Sequence, residues 1–310
     1  MRAHDARIPL KQGYRLTLHQ RDYTIRDVVG YGGSCLAYSA LFDPEEYERG
    51  IGMTSIPVII KEFYPTELEQ GIAREINGTL AVHTASHDAF EILRSRFESG
   101  TVEQMAFCVN DGNHTLPAPS IDVSNGTVYS VVALTKGSIL ADCRDSLSMY
   151  EKSCIITSLR NAVKKLHDGG KLYLDLKPSN IFVFESEDGE TRRIALFDFD
   201  TVTPVTDIAK AYISYSKGWS PYEQVNSQHG VISYTADIYA IGAVCYWLYS
   251  GKKVTYTALH EIVRGRYGFL EEIPELREST VLAETIGELL SATLKRMPDN
   301  RAQRVEELPL

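Results

Sequence analysis

Cysteine is scarce in this chain and badly placed for metal or redox work. The five residues, Cys35, Cys108, Cys143, Cys154 and Cys245, form no CxxC pair and have no histidine at ligand spacing. Zinc ribbons, dithiol redox centres and disulfide-stapled scaffolds are therefore excluded, and reduced thiols in a cytoplasmic protein are expected. No secretory leader is recognised. Long hydrophobic runs are missing too: the longest, Ile238 to Tyr249, has twelve residues, against the roughly 20 that a membrane-spanning helix needs. That run is expected to be a buried helix, and no membrane association is expected. Positive charge is short as well. Lys and Arg number 32 against 41 Asp and Glu, a net charge of -9, which argues against general affinity for nucleic acid or anionic membranes. There is no internal repeat and no low-complexity segment.

What is present suffices for a large core. The 310 residues are 44% hydrophobic and 24% charged, ordinary for a globular protein. Alternation predicts strands at Tyr14–Leu18, Tyr23–Val29, Cys35–Leu41, Ile56–Phe63 and Thr127–Leu134, a small hairpin over Glu75–Val82, and a helix over Ala89–Phe107. After Lys136 and Gly137 the character changes. A helix over Tyr150–His167 precedes short strands at Asn180–Phe184 and Arg193–Phe197, then an irregular stretch up to Gln224, then helices to the end. A strand-rich region joined by a short connector to a helical one predicts an α+β chain with two lobes.

Three groups of residues carry chemistry. The string Tyr173–Asn180 (YLDLKPSN) places Asp175, Lys177 and Asn180 in one loop between a helix and a strand. Phosphoryl transfer needs a carboxylate to accept a hydroxyl proton, a cation near the moving phosphate and an oxygen ligand for magnesium, and these three supply them in order. In LFDFD, Asp198 directly follows a short apolar strand and is placed to hold a metal. Upstream, Gly30, Gly32 and Gly33 interrupt a strand pair, and Lys61 sits inside an apolar strand. Glycine lets backbone amides approach phosphates closely, and a lysine in such a strand is costly to bury without an anion.

The glycine cluster, the strand lysine, DLKPSN, DFD and SPYEQ, in that order, resemble the signature set of eukaryotic-like protein kinases. IKEFYP and GWSPYEQ resemble in particular a bacterial serine/threonine kinase group. The resemblance runs from about Tyr23 to Arg301. It implies a bilobal protein-kinase fold over residues 1–310, with a strand-rich N-lobe (1–134) and a helical C-lobe (135–310). ATP and Mg2+ are the implied cofactors, and a protein carrying Ser or Thr is the implied substrate. By resemblance, Lys61 contacts the α- and β-phosphates, Asp175 is the catalytic base with Lys177 beside it, and Asn180 and Asp198 hold magnesium. Gly30, Gly32 and Gly33 form the phosphate loop, Val132 is the gatekeeper, and Ala133 to Thr135 face adenine. Ser216 is expected to touch Asp175 and Lys177, Glu223 to pair with Arg301, and Asp237 to accept hydrogen bonds from the catalytic loop. The helix partner of Lys61 is Glu98, with Glu103 or a shift to Gly100 as alternatives.

Departures from the pattern set further expectations. Cys35 replaces the third loop glycine, and Ala37 and Ile59 exchange the usual large and small residues around adenine. Tyr173 and Leu174 stand where a His-Arg pair is usual, so a phosphate on the activation segment loses its main anchor. Activity independent of phosphorylation at Thr201, Thr203, Thr206 or Ser214 is therefore expected. Asp200 replaces the glycine of DFG. Two other readings are a pseudokinase scaffold and a small-molecule phosphotransferase; SPYEQ, Asp237 and Arg301 argue against the second.

Overall fold

The computed structural model describes residues 5–42, 55–109, 118–133, 136–185 and 193–309, with the backbone alone at 109, 275 and 278. The chain forms two compact units, Met1–Thr135 and Lys136–Leu310.

The first unit is built on a six-stranded antiparallel sheet of order β1-β2-β3-β4-β8-β7. The strands are β1 (Arg15–Leu18), β2 (Arg21–Tyr31), β3 (Cys35–Phe42), β4 (Ile56–Phe63), β7 (Ser120–Ser124) and β8 (Thr127–Ala133). A separate hairpin pairs β5 (Ile72–Arg74) with β6 (Leu80–Val82). It therefore starts three residues before the hairpin expected at Glu75, because Glu75 to Thr79 form the turn. Helix α1 (His87–Val109) buries Phe90, Phe97, Thr101 and Cys108 along one face. Phe90 and Phe97 pack on Phe63 of β4 at 5.1 and 5.6 Å, so apolar residues two turns apart dock the helix on the sheet.

Register decides which face of the sheet each side chain meets. Ala37 lies opposite Lys61, Lys61 opposite Ser130, and Ile59 opposite Val132. Facing residues of paired strands project to the same side, so Gly30, Ala37, Lys61, Ile59 and Val132 share one face. Tyr38, Ile60, Glu62 and Tyr129 share the other, which is buried.

The second unit is mostly helical. A three-stranded antiparallel sheet joins β9 (Gly137–Ile139), β11 (Ile181–Phe184) and β12 (Ile194–Leu196). A short pair, β10 (Lys171–Leu172) with β13 (Thr203–Pro204), braces the stretch between them. Helix α2 (Leu140–Cys143) is brief, while α3 (Met149–Asp168) opens with a capping box in which Ser148 and Glu151 satisfy each other's amides. Helix α4 (Tyr222–Val225) falls in the stretch expected to be irregular. The apolar run lies in α5 (Tyr234–Ser250), buried on nearly every side. Gly242 permits that burial, since a Cβ there would sit 2.0 Å from Thr293 Oγ1. Helices α6 (Tyr256–Val263), α7 (Gly268–Glu271), α8 (Pro274–Glu278) and α9 (Thr280–Thr293) complete the unit. None of the five cysteines forms a disulfide.

Candidate active site

The loop leaving β10 collects the chemical residues of the second unit around one carboxylate. Asp175 Oδ2 accepts from Lys177 Nζ at 2.7 Å and from Asn180 Nδ2 at 2.9 Å, while Oδ1 accepts from Ser216 Oγ at 2.8 Å. Lys177 Nζ also donates to Ser216 Oγ at 3.2 Å. Asn180 Nδ2 makes a second bond, to the Asp175 carbonyl, at 3.0 Å. Both of these partners can only accept, which fixes the orientation of the Asn180 amide. Its Oδ1 receives no hydrogen bond among the described residues. Asp175 and Lys177 side chains remain 13% and 24% exposed, so a substrate group can reach them.

Asp237, wholly buried at the start of α5, holds the base of this loop. It accepts from the amides of Tyr173 and Leu174, both at 2.8 Å, and lies 3.0 Å from His167 Nε2. Leu174 has φ +64°, a left-handed conformation uncommon for a bulky side chain. Three contacts enforce it: Asp237 at its amide, Gln224 at its carbonyl, and burial of its side chain with Leu172, Ile208, Ile232 and Ala236. Gln224 Nε2 donates to the Leu174 carbonyl at 2.6 Å and to that of Ser214 at 2.7 Å.

Tyr173, in the position of the usual histidine, is fully buried. Its hydroxyl donates to the Phe197 carbonyl and its ring meets Phe199 edge-on at 5.4 Å. Burial, reinforced by the carboxylates of Asp198, Asp175, Asp237 and Asp200, pushes its phenol well above the usual range and keeps it a neutral donor. The amide of Phe197 bonds the Asn180 carbonyl at 3.2 Å, so the segment carrying Asp198 is stitched to the loop carrying Asn180. Asp198 has φ +70°, a conformation that aspartate tolerates better than most residues. The described residues contain no cluster of three or more His, Cys, Asp or Glu able to hold a metal. Asn180 Oδ1 and Asp198 are a sparse set of hard oxygen donors, which suits magnesium because that ion keeps several waters and binds substrate phosphates.

Away from the loop, Arg301 forks onto Glu223 at 2.5 and 3.0 Å, both side chains fully buried. The expected contacts of Ser216, Asp237 and Glu223 are thus all formed.

In the first unit, Gly30 ends a register shift in β2, while Gly32 and Gly33 lie in the turn to β3. Lys61 is half-buried on the face shared with Ala37 and Ile59. Glu98 pairs with Arg94, one turn earlier on α1, at 2.9 Å. Ala133 is exposed at the end of β8, and Thr135 lies outside the described residues. Sequence reasoning missed the neighbour of Lys61. Glu62 is fully buried and accepts from Tyr38 at 2.7 Å, Tyr129 at 2.6 Å, and Arg74 at 3.0 and 2.5 Å. Burial alone would lower the Arg74 pKa; hydrogen bonds and charge from Glu62 outweigh it and raise it. The signal was an acidic residue within an apolar strand, the same signal that drew attention to Lys61.

Residues 123–308 match the protein kinase domain family. The chain belongs to that family. Serine/threonine-protein kinase F of Synechocystis sp. is 28% identical over 167 residues, 52% of this chain and 31% of that protein. A calcium and calcium/calmodulin-dependent serine/threonine-protein kinase of Oryza sativa is 25% identical over 179 residues, 55% of this chain and 34% of that protein. The matches thus span about a third of these curated relatives. Among solved structures, the apo form of PpkA-294 superposes with a TM-score of 0.65 at 20% identity, covering 97% of this chain and 98% of that one. The PknI kinase domain of Mycobacterium tuberculosis gives 0.57 at 16% identity, covering 97% and 96%. At these identities the likeness establishes the fold alone: a bilobal protein-kinase domain with a strand-rich N-lobe and a helical C-lobe. No helix among the described residues is long and apolar enough to cross a membrane.

Proposed function

We propose that this chain is a serine/threonine protein kinase that transfers the γ-phosphate of ATP, with Mg2+, to a hydroxyl of a protein substrate. The observation that carries the reading is Asp175: one partly exposed carboxylate gripped by Lys177, Asn180 and Ser216. A base in phosphoryl transfer must hold a hydroxyl in line and accept its proton, and this carboxylate is fixed on both oxygens for that task. Lys177, beside it, supplies positive charge where the transferred phosphoryl develops negative charge. A serine bridging base and lysine supports Ser/Thr rather than Tyr as acceptor.

Asn180 and Asp198 would hold magnesium, which when bound offsets phosphate charge and orients the nucleotide. Lys61 would contact the α- and β-phosphates, and Gly30, Gly32 and Gly33 would approach them through backbone amides. A Cβ on Gly33 would meet no atom within 4 Å. Packing within the chain therefore does not require glycine there, whereas a phosphate laid against the loop does. Glu98 would exchange Arg94 for Lys61, and Ala133 and Thr135 would present backbone groups to adenine. The kinase domain would span residues 1–310, its lobes meeting at 134/135. The acidic net charge supports protein rather than nucleic acid as the substrate, and the cytoplasm is the proposed compartment.

Incubation with labelled ATP, Mg2+ and a generic protein substrate tests this. Label on Ser or Thr with wild type and none with Asp175→Asn is expected. Nucleotide binding with no transfer by wild type would make the chain a binding scaffold instead.

A further inference from the structure

Ahead of the sheet, residues 5–10 are laced into the first unit at four points. Arg7, only 3% exposed, donates through Nη2 to the carbonyl of Gly32 at 2.8 Å and through Nη1 to the carbonyl of Tyr64. Asp5 neutralises it with two bonds, from Nε at 2.9 Å and Nη2 at 2.6 Å. The carbonyl of Ile8 accepts from Arg74 Nε at 2.6 Å, and the amide of Leu10 donates to the Tyr38 hydroxyl at 3.1 Å. Arg74 and Tyr38 are two of the donors that hold Glu62.

The glycine turn is also bound by the segment after β4. Tyr64 N donates to Ser34 O at 3.0 Å. Thr66 donates to Gly33 O through its amide at 2.8 Å and through its hydroxyl at 3.1 Å. Three consecutive carbonyls, those of Gly32, Gly33 and Ser34, are thus all tied down. Residues that touch no phosphate in the proposed site do the tying. A charged donor on a carbonyl is among the stronger hydrogen bonds, and of the two side chains that reach these carbonyls Arg7 is charged and buried while Thr66 is neither.

We propose that residues Asp5–Leu10 are a strap that sets the position of the glycine turn, with Arg7 as its positioning residue. The inference rests on the reading of that turn as the phosphate loop. Arg7 acts through the Gly32 carbonyl: it fixes the backbone orientation of the turn before nucleotide arrives, so less ordering is left for binding to achieve. The strap lies before residue 123, where the family match begins. It also connects the turn to the Glu62 cluster through Arg74 and Tyr38.

The test uses the full chain carrying Arg7→Ala, Arg7→Lys, Thr66→Val, or, as a control, Leu16→Ala in the core of the same unit. Backbone hydrogen exchange over residues 30–36 without nucleotide and steady-state kinetics are both read. Arg7→Ala should speed exchange in the turn and raise KM for ATP about tenfold, with kcat changed much less, as expected for one charged hydrogen bond. Arg7→Lys should fall between wild type and Arg7→Ala. Thr66→Val, at a half-buried and uncharged side chain, should move both readouts the same way by less. Leu16→Ala should lower thermal stability and move neither. Wild-type-like exchange and KM in Arg7→Ala, or the same changes in Leu16→Ala, would overturn the strap. Faster exchange in Arg7→Ala, in a protein whose wild type neither binds nor turns over ATP, would uphold the strap and sink the kinase reading.

Discussion

Gln224 donates to the carbonyl of Leu174 in the catalytic loop, and the same amide nitrogen donates to Ser214 in the activation segment. Two uncharged bonds from Gln224, itself 2% exposed, therefore join segments that a phosphate and an arginine would otherwise join. Alanine at Thr203, Thr206 and Ser214 together should leave kcat within about threefold in phosphatase-treated protein, because no charged anchor is lost. Gln224→Ala should lower kcat at least tenfold, since it strips one buried and one part-buried carbonyl of a partner, and an unsatisfied buried acceptor costs roughly 1–3 kcal/mol. Thr201 is different: its hydroxyl bonds the Tyr173 carbonyl at 2.8 Å, so Thr201→Ser should be silent and Thr201→Ala should not. Loss of turnover in the triple variant would refute the clamp.

The Glu62 cluster predicts a stability effect. Arg74→Ala leaves a fully buried carboxylate without its cation, and removing one partner of a buried pair costs about 3–5 kcal/mol. Glu62→Gln should cost less, because a neutral amide keeps contacts to Tyr38 and Tyr129. Urea unfolding of the two variants and the double mutant measures the coupling. Equal, additive losses below about 1 kcal/mol would show that the cluster does not act as a unit.

Glu98 and Glu103 make separable predictions. If Glu98 leaves Arg94 for Lys61 in the working enzyme, Glu98→Gln should lower kcat/KM for ATP tenfold or more, and Glu103→Gln should have little effect. Steady-state kinetics on the two variants decide the matter, and the reverse order would assign the role to Glu103.

Alkali should unfold the protein in a narrow range. Burial raises the phenols of Tyr38, Tyr129 and Tyr173, that of Tyr239 to about 12, and the thiol of Cys245 to about 12. A group with a raised folded pKa contributes stability that is complete below its unfolded value, 10.0 for tyrosine and 9.0 for cysteine. The contribution disappears as pH climbs from there toward the folded value. Melting temperature should hold through about pH 9 and then fall, each such group adding roughly 1.4 kcal/mol per pH unit. Phenolate absorbance from the buried rings should appear with unfolding. Gradual ionisation of all 18 tyrosines in the folded state would contradict this.

Much of this was written in local pattern. Ile56–Phe63 reads as a strand from its apolar residues and forms one over that span. The run from Ile238 is a core helix because nothing polar interrupts it. Asp175, Lys177 and Asn180 lie within six residues of one another, so a single loop gathers them. The unread parts depend on distant partners. Lys61 and Glu62 look like an ordinary charged pair until the strand pleat sends them to opposite faces, and Arg74, which neutralises Glu62, arrives only after a turn. Arg7 and Gly32 are 25 residues apart, with no periodicity linking them. Tyr173 is visible in the sequence as a departure, but its bond to Phe197 requires the returning strand.

Single-turnover transfer from labelled ATP, measured with nucleotide affinity on wild type, Asp175→Asn and Lys177→Met, tests the central claim most directly. General-base catalysis is worth about 10²–10⁴ in rate. Asp175→Asn should lose transfer on that scale while binding Mg2+-ATP within about threefold of wild type, and Lys177→Met should behave similarly. Transfer that survives in Asp175→Asn at the wild-type rate would contradict the account.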